Sequence, residues 1–397
     1  MKKLQIVLLV LAAVFFVSCR EKKSENGKIT LTVWESNSGP DEFIVQAGEA
    51  YSNLHPEVEI KYVNVELADA LGQIALDGPA GKGPDVFASS HDRLSSLVSG
   101  GHVLPAGNPE LVKEKAFEAC SSALTYDGVI YGYPVSTETV ALFYNKKLMG
   151  SRKVPSTFEE LADFSREFNR ENPGKYGFIM NTREGYYTVM FTTAEGNRLF
   201  GKDGNDRKNS YINSPAAVKG MKYFQSLREI LDVPATDLDT ATVDAAFQSG
   251  TAAMHITGLW NVMPFLNGGI EFGVAPIPSL PGEKHGAATF CGVRTMFVSA
   301  YSDHPKEADD FAAFLMSDEM QQLRFKCTGA LPGVDVPVEG GYLEGFMKQL
   351  ENSFPMPSVP EMGLYWEAMN SASKNIWNGA DVQKELDACN AAITGGF

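Results

Sequence analysis

The chain has 397 residues with 34 basic and 49 acidic side chains, a net charge of −15; 44% of it is hydrophobic and 21% charged. That is enough length for two globular domains, and the 11% aromatic content excludes a disordered, collagenous or low-complexity body. An acidic balance of this size repels phosphate backbones and no basic cluster offsets it, so nucleic acid is excluded as a partner.

Lys2 and Lys3 precede Leu4 to Val17, a run in which only Gln5 is polar, and Ser18-Cys19 follow at once. This is the layout of a secretory signal over residues 1–18. The run is shorter than the roughly 20 residues a spanning helix needs, and no later stretch is long and apolar enough to be one. A small residue directly before a cysteine resembles the bacterial lipobox, although Phe16 stands where the strict pattern prefers leucine. Acylation of Cys19 makes residues 19–27 a polar tether and holds the protein extracytoplasmically, in the periplasm or on the cell surface, by a lipid anchor in the membrane. The alternative is an ordinary cleaved signal with an incidental cysteine. Losing residues 1–18 takes two lysines and no acid, so the remaining chain is more acidic still.

The spacing of Cys120, Cys291, Cys327 and Cys389 is too wide for a zinc or redox motif. Cys389 shares helical spacing with Leu386 and Ile393, which marks it as a packed small hydrophobe. One disulfide among the four stays open in an oxidising compartment. No metal and no cofactor is indicated.

Ile29, Leu31 and Val33 alternate with polar residues up to Trp34, predicting a strand; Phe43, Ile44, Ala47, Tyr51 and Leu54 then follow helical spacing until His55-Pro56. Val58, Ile60 and Tyr62 restore the period of two, a helical stretch covers Leu67 to Leu76, and Val86-Phe87-Ala88 follows Gly83-Pro84-Asp85. Strand, helix, strand, helix, strand implies a parallel sheet, whose ligands gather at the carboxyl ends of its strands. Glu35 to Ser38 and Ser89 to Arg93 occupy those ends. Further on, Thr157 with Glu160 forms a capping box, and Ser214-Pro215 opens another helix. The polar stretch from Asp203-Gly204 to Asn209, between two short strand-like runs, predicts a hairpin. Ala252 to Ile256, Glu271 to Ala275 and Val293 to Ser299 read as strands, and helices resume at Pro305 to Met316.

Several runs resemble maltose/maltodextrin-binding proteins among the extracellular solute-binding proteins (family 1) of ABC transporters. They are Gly83-Pro84-Asp85-Val86 with His91-Asp92-Arg93, Tyr131-Gly132-Tyr133-Pro134 to Tyr144-Asn145-Lys146, Ala252-Ala253-Met254 to Gly258-Leu259-Trp260, Gly273 to Pro278, and Pro355-Met356-Pro357 to Glu361-Met362. The resemblance implies an α/β, two-lobed periplasmic-binding-protein (type II) fold with discontinuous lobes joined by a hinge. One lobe holds residues 28–136 plus 295–342 and the other 141–290 plus 347–397. It further implies a monomer that captures maltose, maltodextrin or a related oligosaccharide by hinge closure and delivers it to the permease subunits of an ABC importer in the membrane.

Carried over residue by residue, the resemblance implies sugar contacts from Asp92, Arg93, Glu138, Glu184 and Tyr186, and stacking from Trp260 and Trp366. Glu35, Asn37, Ser38 and Glu66 match more loosely, since an Asp-Lys pair after the first strand has no clear counterpart here. Ser89 stands in place of an aromatic residue, Asn370 in place of an arginine, and Gly185 in place of a proline. The residue types suit the chemistry, because a sugar ring offers hydroxyls at its edge and C–H groups on its faces. Each also has a plainer reading: Asp92 as the N-cap of a helix from Leu94, Arg93 as a surface ion pair, Glu138 on a solvent face, and the tryptophans as core, with Trp366 on one face with Met369 and Ile376. The alternatives in function are a binder of another solute class for import or sensing, or a glycoside hydrolase using Asp92, Glu138 and Glu184. Neither a G-x-S-x-G elbow nor an H-E-x-x-H motif occurs, and an enzyme is not expected.

Overall fold

A computed structural model describes residues 27–395. The signal segment, Cys19 and the tether up to Asn26 lie outside the described residues. From Ile29 the chain forms β1 (Ile29–Glu35), α1 (Pro40–Leu54), β2 (Val58–Asn64), α2 (Ala70–Asp77) and β3 (Val86–Ser90), the alternation expected from the sequence. There follow β4 (Tyr133–Glu138), β5 (Val140–Asn145), β6 (Tyr176–Met180), α3 (Gly185–Thr192), β7 (Ala252–Gly258), β8 (Phe272–Ala275) and β9 (Thr289–Val298). Near the end come α4 (Asp318–Thr328), β10 (Ser353–Pro355) and α5 (Met362–Trp377).

Two sheets result. The larger runs β10-β9-β3-β1-β2 with β4 also paired to β9, and the smaller runs β8-β5-β7-β6. In the larger, β1 is parallel to β2 and β3 while β9 is antiparallel to β3. Alternation sends Leu31 and Val33 into a core with Phe43, Ile44 and Phe87. Pro40 at the first turn of α1, with Asp41 and Glu42 beside it, suits a helix start, and Phe43, Ile44, Ala47 and Tyr51 are the buried stripe. In the smaller sheet β5 is covered on both faces: Val140 and Leu142 join one core, Ala141 and Phe143 another. This explains its unbroken apolar run.

The chain crosses between the sheets within one residue, Thr139, which separates β4 from β5. Strand β9 spans the two cores as well, with Phe290 in the core of the smaller sheet and Met296 to Val298 in that of the larger. At this junction three hydroxyls meet, those of the buried Thr139 and Thr289 and the half-buried Ser353 of β10. Thr139 Oγ1 lies 2.8 Å from Thr289 Oγ1 and 3.3 Å from Ser353 Oγ, Thr289 Oγ1 lies 2.8 Å from Ser353 Oγ, and Thr139 donates to the Phe290 carbonyl at 2.8 Å.

The expected caps form: Thr157 Oγ1 accepts from Glu160 N at 3.1 Å while Glu160 Oε2 takes the Ser156 N–H, and Ser214 Oγ accepts from Ala217 N. The hairpin expected around Asp203-Gly204 is absent. Phe200, Gly201, Gly204 and Tyr211 have φ between 56° and 78°, a left-handed backbone that cannot enter a ladder, and Asp206 holds the turn by accepting from Tyr211 Oη at 3.0 Å. Cys120, Cys291, Cys327 and Cys389 are all free thiols.

Replacing Thr139 by valine keeps its shape and removes the hydroxyl bonds at the crossing. Urea unfolding should show a loss of about 1–3 kcal/mol; an unchanged midpoint would mean the cluster contributes nothing to the junction.

Candidate functional site

The carboxyl ends of β1, β2, β3 and β4 in one sheet and of β6 and β7 in the other lead into one cleft of about 660 Å³. One wall consists of Ser36, Asn37 and Ser38 after β1, Glu66 after β2, Asp92 and Arg93 after β3, and Glu138 at the end of β4. The opposite wall consists of Glu184, Tyr186 and Tyr187 at the start of α3, Trp260 after β7, and Trp366 on α5. A groove of about 770 Å³ along β1 and β2 is larger, but it lies on one sheet only, and its lining is scattered polar side chains, glycines and valines with Trp34 and Tyr301. The cleft is the better candidate because it joins both sheets and combines rings with charges.

The rings occupy one side. Tyr186 lies with its centroid 5.9 Å from Trp260 and 6.4 Å from Trp366, and Phe290 backs Trp366 at 5.8 Å. Trp366 is half-buried whereas Met369 and Ile376 on the same helix are fully buried, so its ring leaves the core face and enters the cleft. Burial drives the Tyr186 hydroxyl well above its usual pKa, and the Glu138 carboxylate adds to this. Gly185 is required by close approach: a Cβ there would sit 2.9 Å from the Met369 side chain, and the Tyr365 hydroxyl donates to the Gly185 carbonyl at 3.0 Å. Asn370 Oδ1 accepts the Gly185 N–H at 2.7 Å, which makes it a clamp on the loop that carries Glu184 and Tyr186.

All the cleft charges except Glu184, which stands beside the rings, occupy the other side. Asp92 does not cap the helix that begins at Leu94; its Oδ2 accepts from Trp366 Nε1 at 3.1 Å across the cleft and lies 3.4 Å from Arg93 Nε. The preceding His91 is fixed as a neutral tautomer, with Nδ1 accepting from Val293 N at 3.0 Å and Nε2 facing the Met356 carbonyl at 3.0 Å. Burial holds its pKa below the ordinary histidine value despite the nearby Asp92 carboxylate. Glu184 Oε1 accepts from Asn181 Nδ2 at 2.6 Å and Thr240 Oγ1 at 3.0 Å.

Glu35 departs from the expectation that it faces a ligand. It has no exposed surface and lies beneath the cleft wall, bonded through both oxygens to Arg294, to Arg324 at 3.2 Å and to the Ser36 N–H at 2.7 Å. Burial alone would raise its pKa, but the two guanidinium groups and these hydrogen bonds outweigh it and hold the carboxyl below the usual range. Ser89 is likewise fully buried and pairs with Thr295, so the neighbouring Ser90 is the one that lines the cleft. Arg294 and Arg324 line the cleft and were not anticipated. The available signal was an arginine at position 294 inside an otherwise buried strand. The remaining anticipated residues, including the exposed Asn37, Ser38 and Glu66, come together around the cleft.

Comparison with known proteins finds relatives over nearly the whole chain. The family model described as bacterial extracellular solute-binding protein matches residues 35–322. The galactooligosaccharide-binding protein of Bacillus subtilis is 29% identical, over 97% of this chain and 95% of its own. A maltooligosaccharide ABC transporter solute-binding lipoprotein of Streptococcus pneumoniae is 27% identical, over 97% of this chain and 93% of its own. The crystal structure of a cyclo/maltodextrin-binding protein with maltotetraose superposes with a TM-score of 0.78 at 34% identity, covering 94% of this chain and 98% of that one.

The His91 geometry has a pH consequence. A histidine whose folded pKa is depressed binds fewer protons folded than unfolded, so its stabilisation is present above the unfolded value of about 6.5 and is lost as pH falls through it. Urea unfolding between pH 7.5 and 5.5 should lose up to roughly 1.4 kcal/mol per unit from this group. The decline should be shallower in His91→Gln; equal slopes in the two proteins would contradict the assignment.

Proposed function

Since this chain belongs to the bacterial extracellular solute-binding proteins, we propose that it captures a neutral oligosaccharide, a maltodextrin or a related one, for an ABC importer. The observation that carries this reading is the division of the cleft: three adjacent rings on one wall face carboxylates and guanidinium groups on the other. Flat rings pack on the C–H faces of sugars, and charged hydrogen-bonding groups meet their hydroxyls. The cleft charges support a neutral ligand. Glu66, Asp92, Glu138 and Glu184 stand against Arg93, Arg294 and Arg324, close to balance on a chain of net charge −15.

Relatives whose names specify galactooligosaccharide and maltooligosaccharide, and a related structure that holds maltotetraose, support the same solute class. Asp92, Arg93, Glu138, Glu184, Tyr186, Trp260 and Trp366 are the contacts of this reading, with Asn37, Ser38 and Glu66 at the rim. Residues 28–136 with 295–342, and 141–290 with 347–397, act as lobes that close through the crossings at Thr139 and β9. Ligand bridging both walls shifts the population toward the closed form. Permease subunits receive that form, and the monomer is held at the membrane by acylated Cys19.

Calorimetric titration of the purified protein with maltotriose, β-1,4-galactotriose, amino acids and polyamines tests the reading. Saturable binding of at least one saccharide, without shortened products, is expected. Trp260→Ala should weaken it by about 10–100-fold, in keeping with a buried aromatic anchor, while thermal unfolding stays cooperative. Binding of amino acids or polyamines but no saccharide would refute the proposal.

A further inference from the structure

The cleft wall contains a donor and an acceptor that do not satisfy each other. Arg294 commits Nε and Nη2 to Glu35, and Nη2 also donates to Ser36 Oγ at 2.9 Å. Its Nη1 lies 3.8 Å from Glu138 Oε1, too far for a hydrogen bond. Glu138 itself takes only the Ser136 hydroxyl, at 3.1 Å, among the described side chains. Both residues line the cleft. Arg324, 1% exposed, lines the same wall, and its Nε has no hydrogen-bond partner among the described residues. A buried donor left without an acceptor is costly, and a polar ligand group or water relieves that cost.

We propose that Arg294 is a ligand contact of the cleft and forms, with Glu138, a site for two neighbouring sugar hydroxyls, while Glu35 is the positioning residue that fixes the guanidinium. This rests on the oligosaccharide reading. A guanidinium only donates and a carboxylate only accepts, whereas a hydroxyl does both. One hydroxyl of a vicinal pair accepts from Nη1 and its neighbour donates to Glu138. A uronic acid at this ring would be repelled by Glu138, and a protonated amino sugar would be repelled by Arg294. The neutral vicinal diol is the class that meets both groups. The arrangement also supplies a cationic donor that Glu35-Ser36-Asn37-Ser38 lack, bringing it from β9 instead of from the loop after β1.

Calorimetry with maltotriose and β-1,4-galactotriose as probes tests this in Arg294→Lys, which keeps the charge opposite Glu35 but loses the fork. The dissociation constant of whichever sugar the native protein binds should rise about tenfold or more, with cooperative melting retained. The paired variant Glu35→Gln with Arg294→Gln, a neutral couple of similar size, should show the same loss and serves where the lysine variant does not fold. Glu35→Gln alone should weaken binding in the native background and add nothing in the Arg294→Lys background, a dependence that a purely structural role would not produce. Affinity within about twofold of native in either folded Arg294 variant overturns the inference and leaves the oligosaccharide reading standing. Failure of the native protein to bind either sugar overturns both.

Discussion

The buried carboxylate of Glu35 is the constraint around which the cleft is organised. A lone carboxylate with no exposed surface carries a desolvation cost of several kcal/mol, and only close cations with good geometry offset it. Arg294 supplies a two-pronged contact from β9 and Arg324 a second from α4. The end of β1, the middle of β9 and the middle of α4 are thereby locked together. The consequence reaches the surface, because the same two arginines line the cleft and Glu138 stands next to Arg294. Burial and repulsion from Arg294 lower the Arg324 pKa from its very high starting value, while the flanking carboxylates raise that of Arg294. Both groups stay charged at neutral pH, as the ion-paired network requires.

A second constraint sits where the chain passes between the sheets. Thr139, Thr289 and Ser353 bring their hydroxyls within 3.3 Å of one another, the first two with no exposed surface. Hydroxyls both donate and accept, so three of them form a closed set that ties the link between β4 and β5 to β9 and β10. The His91 imidazole adds a further tie, joining the turn that bears Asp92 to the Val293 amide of β9 and the Met356 carbonyl. The Asp92 to Trp366 hydrogen bond then links the polar wall directly to the aromatic one.

Those ties bear on function because recognition needs both walls at once. Rings alone would hold any flat apolar face, and charges alone any polar solute. Tyr186 shows the coupling: it packs between Trp260 and Trp366 while its hydroxyl feels the Glu138 carboxylate opposite. Gly185 and Asn370 place it there, one by allowing α5 to approach and the other by holding the loop amide. Two of the positions where the sequence departs from its resemblance, Gly185 and Asn370, are thus structural supports of the aromatic wall.

The sequence by itself determined the alternation of strands and helices, the caps at Thr157 and Ser214, and most of the cleft. Periodicity alone points to the strand end that carries Asp92 and Arg93, whereas Glu138, Glu184, Tyr186 and Trp260 came from the resemblance to solute-binding proteins; all of them line the cleft. Its misreading at Asp203-Gly204 was also local: polar turn residues suit a hairpin and a left-handed loop alike, and only the backbone angles separate them. What the tertiary structure alone decided is the fate of Glu35 and its partners. Arg294 and Arg324 lie 259 and 289 residues away along the chain, so nothing near Glu35 in sequence indicates whether it meets solvent, a ligand or a guanidinium. Their meeting is set by the order in which β1, β3 and β9 assemble in the sheet and by the packing of α4 against α1. Burial and pairing depend on which distant elements become neighbours, and that is a property of the assembled fold.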